Sequence, residues 1–309
     1  MKRFVYQILF PLTTALIWGS SFVAQSESAD HIGAFTFNAA RCFMGFLALL
    51  LLIPILRRLD KTPQPELTPE KKKTQFKGLV WGGFCCGTAL ALACNLQQLG
   101  MVAGASAGKT SFITTMYVVL VPICGLFLKK KVPLTVWLGV MVAVAGLYCL
   151  CIKEDFTIVF SDFLVLLCAF AYTLQILVID YFAPHYNGVQ LSCLQFLFTA
   201  LWSAVCMLVF EMDQFSWQAL GLCAGDILYV GIISGGVAYT LQILAQKESR
   251  NPTMVSLLLS LESVFGALAG AVFLHEKMSG KEYLGCVLML IAVVLAQIPS
   301  PKRKSAAVE

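Results

Sequence analysis

Glu262 is a lone carboxylate near the middle of an apolar run at about residues 252 to 274, and Arg41 lies about a third of the way into another run, at about 33 to 56. A charge held at that depth in hydrocarbon costs roughly 2.5–3.5 kcal/mol, so each needs water, a partner or a ligand. Glu262 therefore reads either as a group that binds a solute amine or a proton, or as a hydrogen-bonded structural carboxylate. Arg41 reads as a fixed charge at a cavity or a clamp between helices. Lys109 sits near the end of its run, where it either serves a site or reaches interfacial water along its own stem. Asp162, Asp180 and Asp226 lie close enough to run ends to meet water.

Uncharged polar residues fall in stripes. Thr14, Trp18, Ser21 and Gln25 share one helical face, and Gly235, Tyr239, Gln242 and Gln246 repeat that spacing. Tyr172 pairs with Gln175, Thr110 and Thr114 with Tyr117, and Asn95 with Gln98. Lipid cannot satisfy these groups, so the faces turn toward protein or water, as interhelical bonds or as the wall of a site. The substrate-binding set read from this pattern is Trp18, Ser21, Arg41, Asn95, Thr114, Tyr117, Tyr172, Gln175, Tyr239, Gln242 and Glu262. The aromatic members supply flat apolar walls with polar edges, and Asn95, Gln175 and Gln242 read a solute's polar groups. Pro122 and the Gly235–Gly236 pair are candidate bending points.

Enzyme chemistry finds little footing. The chain has no HExxH, GxSxG or phosphate-loop pattern, its three histidines are far apart, and its twelve cysteines lack metal-ligand spacing. Neither a cofactor nor a metal is expected, and the cysteines read as small apolar packing residues.

These residues are positioned by ten mostly apolar stretches, near 8 to 27, 33 to 56, 76 to 99, 104 to 128, 132 to 151, 158 to 180, 188 to 210, 222 to 246, 252 to 274 and 279 to 298. Each is long enough to cross ~30 Å of hydrocarbon as a helix. Hydrophobic residues make up 59% of the chain and charged ones 13%, too few for a soluble surface. Barrel strands would be shorter and would alternate in polarity. The predicted fold class is all-α and polytopic, with ten transmembrane helices. The first stretch reads as a helix rather than a cleaved leader, because Trp18-Gly19-Ser20-Ser21 interrupts it and no small-x-small cleavage site follows.

Of the 22 Lys and Arg residues, all but Arg41, Lys109, Lys153, Lys277 and Lys281 fall on the side of Met1, which predicts both termini in the cytoplasm. The formal +5 charge is then an insertion signal and a contact with anionic lipid, and nucleic-acid binding is excluded because the basic residues flank spans.

The halves resemble each other. A shift of 146 residues lays Phe127-Leu128, Lys131 and Leu138-Gly139 on Phe273-Leu274, Lys277 and Leu284-Gly285; a shift of 154 lays Trp18 and Ser21 on Tyr172 and Gln175; and 145 lays Gln97 on Gln242. Five spans per half make the repeats inverted. The expected boundaries are 4–153 and 157–298 for the repeats, 57–75 for a cytoplasmic linker loop and 299–309 for a cytoplasmic tail. Inverted repeats characterise secondary transporters.

The segment Leu16-Ile17-Trp18-Gly19-Ser20-Ser21-Phe22, the Asn38-x-x-Arg41 pair, the run Met116 to Pro122, and the matching ends Phe127 to Lys131 and Phe273 to Lys277 resemble the ten-helix EamA branch of the drug/metabolite transporter superfamily. That resemblance implies two inverted five-helix repeats, a cavity lined mainly by spans 1 to 4 and 6 to 9, and packing roles for spans 5 and 10. It also implies movement of a small organic metabolite, such as an amino acid or a related amphipathic solute, by export or exchange across the cytoplasmic membrane. The expected partners are that solute, the bilayer and a coupling proton or ion. An uncoupled channel or facilitator is the alternative, with a membrane enzyme or a receptor behind it.

Overall fold

A backbone in hydrocarbon must satisfy its own N–H and C=O groups, and a helix does so within one segment. The computed structural model describes residues 4–59, 68–105, 107–128, 132–151, 159–249, 252–273 and 279–297, which are helical apart from short turns. We label the spans α1 (Val5–Ala29), α2 (Ala34–Leu59), α3 (Pro69–Val102), α4 (Ala107–Thr115 continuing as Tyr117–Phe127) and α5 (Leu134–Cys151). They are followed by α6 (Phe160–Phe182), α7 (Gly188–Phe210), α8 (Ala224–Ser249), α9 (Pro252–Leu259 continuing as Glu262–Phe273) and α10 (Gly280–Gln297). Eight of them are long and apolar enough to cross a membrane, and α5 and α10, at 18 residues each, reach about 27 Å. The protein is an all-α polytopic membrane protein. Its outward side chains suit lipid: Leu51, Phe127, Leu134, Met141, Phe163 and Val294 are all exposed.

Two local expectations change. The linker expected over 57–75 is shorter, because α2 runs to Leu59 and α3 starts at Pro69, so Lys71, Lys72 and Lys73 extend that helix on exposed turns. Proline at the first turn needs no N–H, which makes Pro69 a good start. The irregularity of α4 falls at Met116 rather than Pro122, where three-residue turns (Met116 N to Ile113 O, 3.1 Å; Val119 N to Met116 O, 3.0 Å) replace the regular ladder. The α9 helix breaks at the matching place, Ser260–Leu261, with Leu261 N to Leu258 O at 3.3 Å. In α8 the segment Tyr229–Tyr239, which contains Gly235 and Gly236, is wound wider than an α-helix. Wide turns leave carbonyls poorly matched, and α1 uses two of them: Thr14 Oγ1 donates to Ala238 O (3.1 Å) and Trp18 Nε1 to Ser234 O (3.2 Å).

Small residues set the close seams. A Cβ at Gly139 of α5 would lie 2.8 Å from Ala292 O of α10, and one at Gly146 would lie 3.0 Å from Gly285 O. Shifted by 146, Gly139 becomes Gly285 and Gly146 becomes Ala292, so this seam reads the same from either helix. Between α2 and α3, Asn38 Nδ2 donates to Asn95 Oδ1 at 2.9 Å; between α7 and α8, Thr240 Oγ1 donates to Ser192 Oγ at 3.0 Å. Those pairs also correspond, at shifts of 154 and 145. Helix packing follows the same rule, with α3 on α6 answered by α1 on α8, and α4 on α6 by α1 on α9.

Candidate solute cavity

Where the broken spans face the bundle centre, a cavity opens among α1, α2, α3, α4, α6, α8 and α9. Trp18, Ser21, Phe22 and Gln25 come from α1, Arg41 from α2, Gln97 from α3, and Thr114 and Tyr117 from α4. From the second half come Tyr172, Gln175 and Ile176 on α6, Ser234, Tyr239 and Gln242 on α8, and Glu262 on α9. Every residue of the sequence-derived binding set except Asn95 lines it. The cavity holds about 450 Å³ of space free of atoms, mouth included, yet only about 30 Å³ of it can take the centre of a water molecule. That is room for two or three waters.

Both breaks put a polar side chain at the start of a half-helix. Tyr117 opens Tyr117–Phe127 and Glu262 opens Glu262–Phe273. Glu262 Oε1 accepts from Tyr117 OH at 3.2 Å and stands 3.2 Å from Thr115 Oγ1. Thr115 Oγ1 also lies 2.7 Å from Ser111 O, and its one proton cannot serve both acceptors fully, so Tyr117 is the undivided donor.

A hydrogen-bonded chain crosses the cavity wall. Tyr239 OH donates to Tyr172 OH (3.4 Å), Tyr172 OH to Gln97 Oε1 (3.4 Å), and Gln97 Nε2 to Thr114 Oγ1 (3.1 Å), joining four helices. Gln175 and Gln242 meet amide to amide at 3.5 Å in both directions, long enough to yield to a better partner. The Trp18 and Tyr239 rings pack at a tilt of 52° with centres 4.6 Å apart, giving one side an aromatic wall.

Arg41 is buried. Its Nε donates to Asn38 Oδ1 at 2.6 Å, its Cζ lies 5.5 Å from the Phe37 ring centre, and Nη2 has no partner. Among the described residues no carboxylate pairs with it.

Asn95 points elsewhere: its Oδ1 accepts from Asn38 Nδ2 and from Ser203 Oγ (3.1 Å), tying α3 to α2 and α7. Gln98, on the same stripe, donates to Gln25 O at 2.9 Å. The span contributes Gln97 instead, which the sequence flagged through its match to Gln242. Phe22 and Ile176 were missed as well, although the shift of 154 that pairs Trp18 with Tyr172 also pairs these two. Ser234 carries no such signal. The Lys109 side chain lies outside the described residues, and among those residues no group of His, Cys, Asp or Glu is placed to hold a metal ion.

The sequence pattern of the EamA-like transporter family matches residues 5–152 and again 159–297. The chain belongs to this family. An EamA-like protein is a transporter, so a small-molecule solute and a lipid bilayer are its partners. Two curated relatives of this EamA-like chain are an uncharacterized transporter of Archaeoglobus fulgidus and the uncharacterized transporter YoaV of Bacillus subtilis. The first is 29% identical over 308 residues, covering 96% of this chain and 87% of the relative; the second is 21% identical over 303 residues, covering 95% and 97%. A solved crystal structure shares the fold at a TM-score of 0.73 and 17% identity, covering 95% of this chain and 97% of that one.

Proposed function

We propose that this EamA-like protein is a secondary carrier that exports or exchanges a small amphipathic metabolite, an amino acid or a related solute, by alternating access across the cytoplasmic membrane. The observation that carries this reading is the cavity: a small chamber of apolar and polar groups walled by corresponding residues of both halves, Trp18 with Tyr172, Ser21 with Gln175, Gln97 with Gln242 and Tyr117 with Glu262. Two inverted five-helix repeats built this way exchange roles when the bundle rocks, so a shape open to one face has a counterpart open to the other. The charge bias of the connections supports an arrangement with both termini in the cytoplasm. The wall set of Trp18, Ser21, Thr114, Tyr117, Tyr172, Gln175, Tyr239, Gln242 and Glu262 binds the solute, with Arg41 at one side. A chamber with room for only a few waters also fits a carrier better than an open pore.

An untargeted comparison of small metabolites inside and outside cells with and without the protein tests this. A solute retained in cells that lack the protein, and released when it is restored, is expected. Unchanged solute profiles accompanied by a new ionic conductance would favour the channel alternative.

A further inference from the structure

We infer that the transported solute carries a carboxylate and that Arg41 receives it. This rests on the carrier reading and narrows it to a substrate class. A buried guanidinium without a counter-charge is an unfavourable arrangement that removal or pairing would relieve. Here it is buried, lines the cavity, and leaves Nη2 without any partner. Guanidinium donors match the two oxygens of a carboxylate in a plane, and such charge-assisted pairs are the strongest available to a protein.

The side chain is also held ready. Nε is engaged by Asn38 Oδ1, while Asn38 Nδ2 donates to both Asn95 Oδ1 (2.9 Å) and Cys94 O (3.1 Å), and Asn95 Oδ1 takes a further bond from Ser203. This bracket fixes the guanidinium without spending Nη2, so little conformational freedom is lost when a ligand arrives. Asn95 is thus a positioning residue for Arg41, which explains a buried polar group that does not face the cavity. A phosphate is a poorer occupant than a carboxylate, because Arg41 is the single cation lining the cavity among the described residues and cannot alone balance a doubly charged group.

Matched acid and amide probes test the inference on the purified full-length protein in lipid nanodiscs. Phenylalanine with phenylalaninamide, leucine with leucinamide, and 3-phenylpropanoate with 3-phenylpropanamide differ only in the carboxylate. At least one acid is expected to raise the thermal midpoint and to bind about thirtyfold or more tightly than its amide, a preference that Arg41→Gln abolishes and Arg41→Lys weakens. Asn95→Ala is expected to reduce the acid preference without abolishing it. Amides that bind as well as their acids, or no acid binding at all, would overturn the inference. The acid and amide comparison stands on the unaltered protein if a variant fails to fold. Saturable transport of an amide or an amine with no preference for the acid would overturn this substrate class and leave the carrier reading in place.

Discussion

Tyr117 and Glu262 are 145 positions apart, occupy corresponding places at the breaks of α4 and α9, and are joined by a 3.2 Å hydrogen bond. The bond crosses from one half to the other at the cavity wall. A change in it would therefore be felt by both halves.

Tyr117→Phe removes the undivided donor to Glu262 while keeping the ring. Leaving that buried oxygen short of its donor costs about 1–3 kcal/mol, so solute flux should fall about fivefold to a hundredfold with folding retained. Glu262→Gln removes the ionisable group, and its flux should lose the pH dependence of the unaltered protein. Initial rates in vesicles across the neutral pH range check both. Unchanged rates and an unchanged profile would make this carboxylate structural.

Gly19 is where α1 meets α9 beside the cavity. A Cβ there would lie 2.5 Å from Glu262 O and 2.6 Å from Gly266 N, both backbone atoms that cannot swing aside. Gly19→Ala should cost about 1–3 kcal/mol and reduce transport, because the helices can only part by moving the Glu262 backbone. Gly221 has open space around it, and Gly221→Ala should be neutral or stabilise by up to about 1 kcal/mol. Thermal unfolding of the two variants in one detergent makes the comparison; equal midpoints would show that this seam is loose.

Glu211, at the end of α7, caps a helix in the other half. Its carboxylate accepts from Phe35 N (2.9 Å), Thr36 N (2.7 Å) and Thr36 Oγ1 (2.7 Å) at the start of α2, next to Gly33, where a side chain would collide with it. Glu211→Ala should destabilise the protein by about 2–3 kcal/mol, and Glu211→Gln by less, since an amide oxygen still accepts but without charge. Denaturation midpoints check this ordering.

The large features were legible because hydrocarbon imposes them. Span length and polarity identified the helices, and the stripes on α1, α6 and α8 identified the cavity faces. The spacing of Trp18, Ser21 and Gln25 needed only a regular helix. Asn95 and Gln97 show the limit: two residues apart on one helix, they face different neighbours, and spacing alone does not say which face meets the cavity and which meets α2 and α7. The breaks at Met116 and Ser260–Leu261 were not visible because no glycine or proline marks them, whereas Pro122, which does look like a breaker, sits inside the regular helix Tyr117–Phe127. In α8 the Gly235–Gly236 pair did mark an irregular segment, but not the partners of its carbonyls, to which Thr14 and Trp18 of a distant span donate. Partnership across the halves, not local propensity, shaped the places that matter for the site.

Counterflow in sealed proteoliposomes, with the solute found by metabolite comparison loaded on one side and its labelled form supplied on the other, bears most directly on the carrier. The labelled solute should enter saturably, accumulate transiently against its own gradient, and do so faster when unlabelled solute is inside. Entry that rises linearly with concentration and ignores solute on the far side would contradict the account.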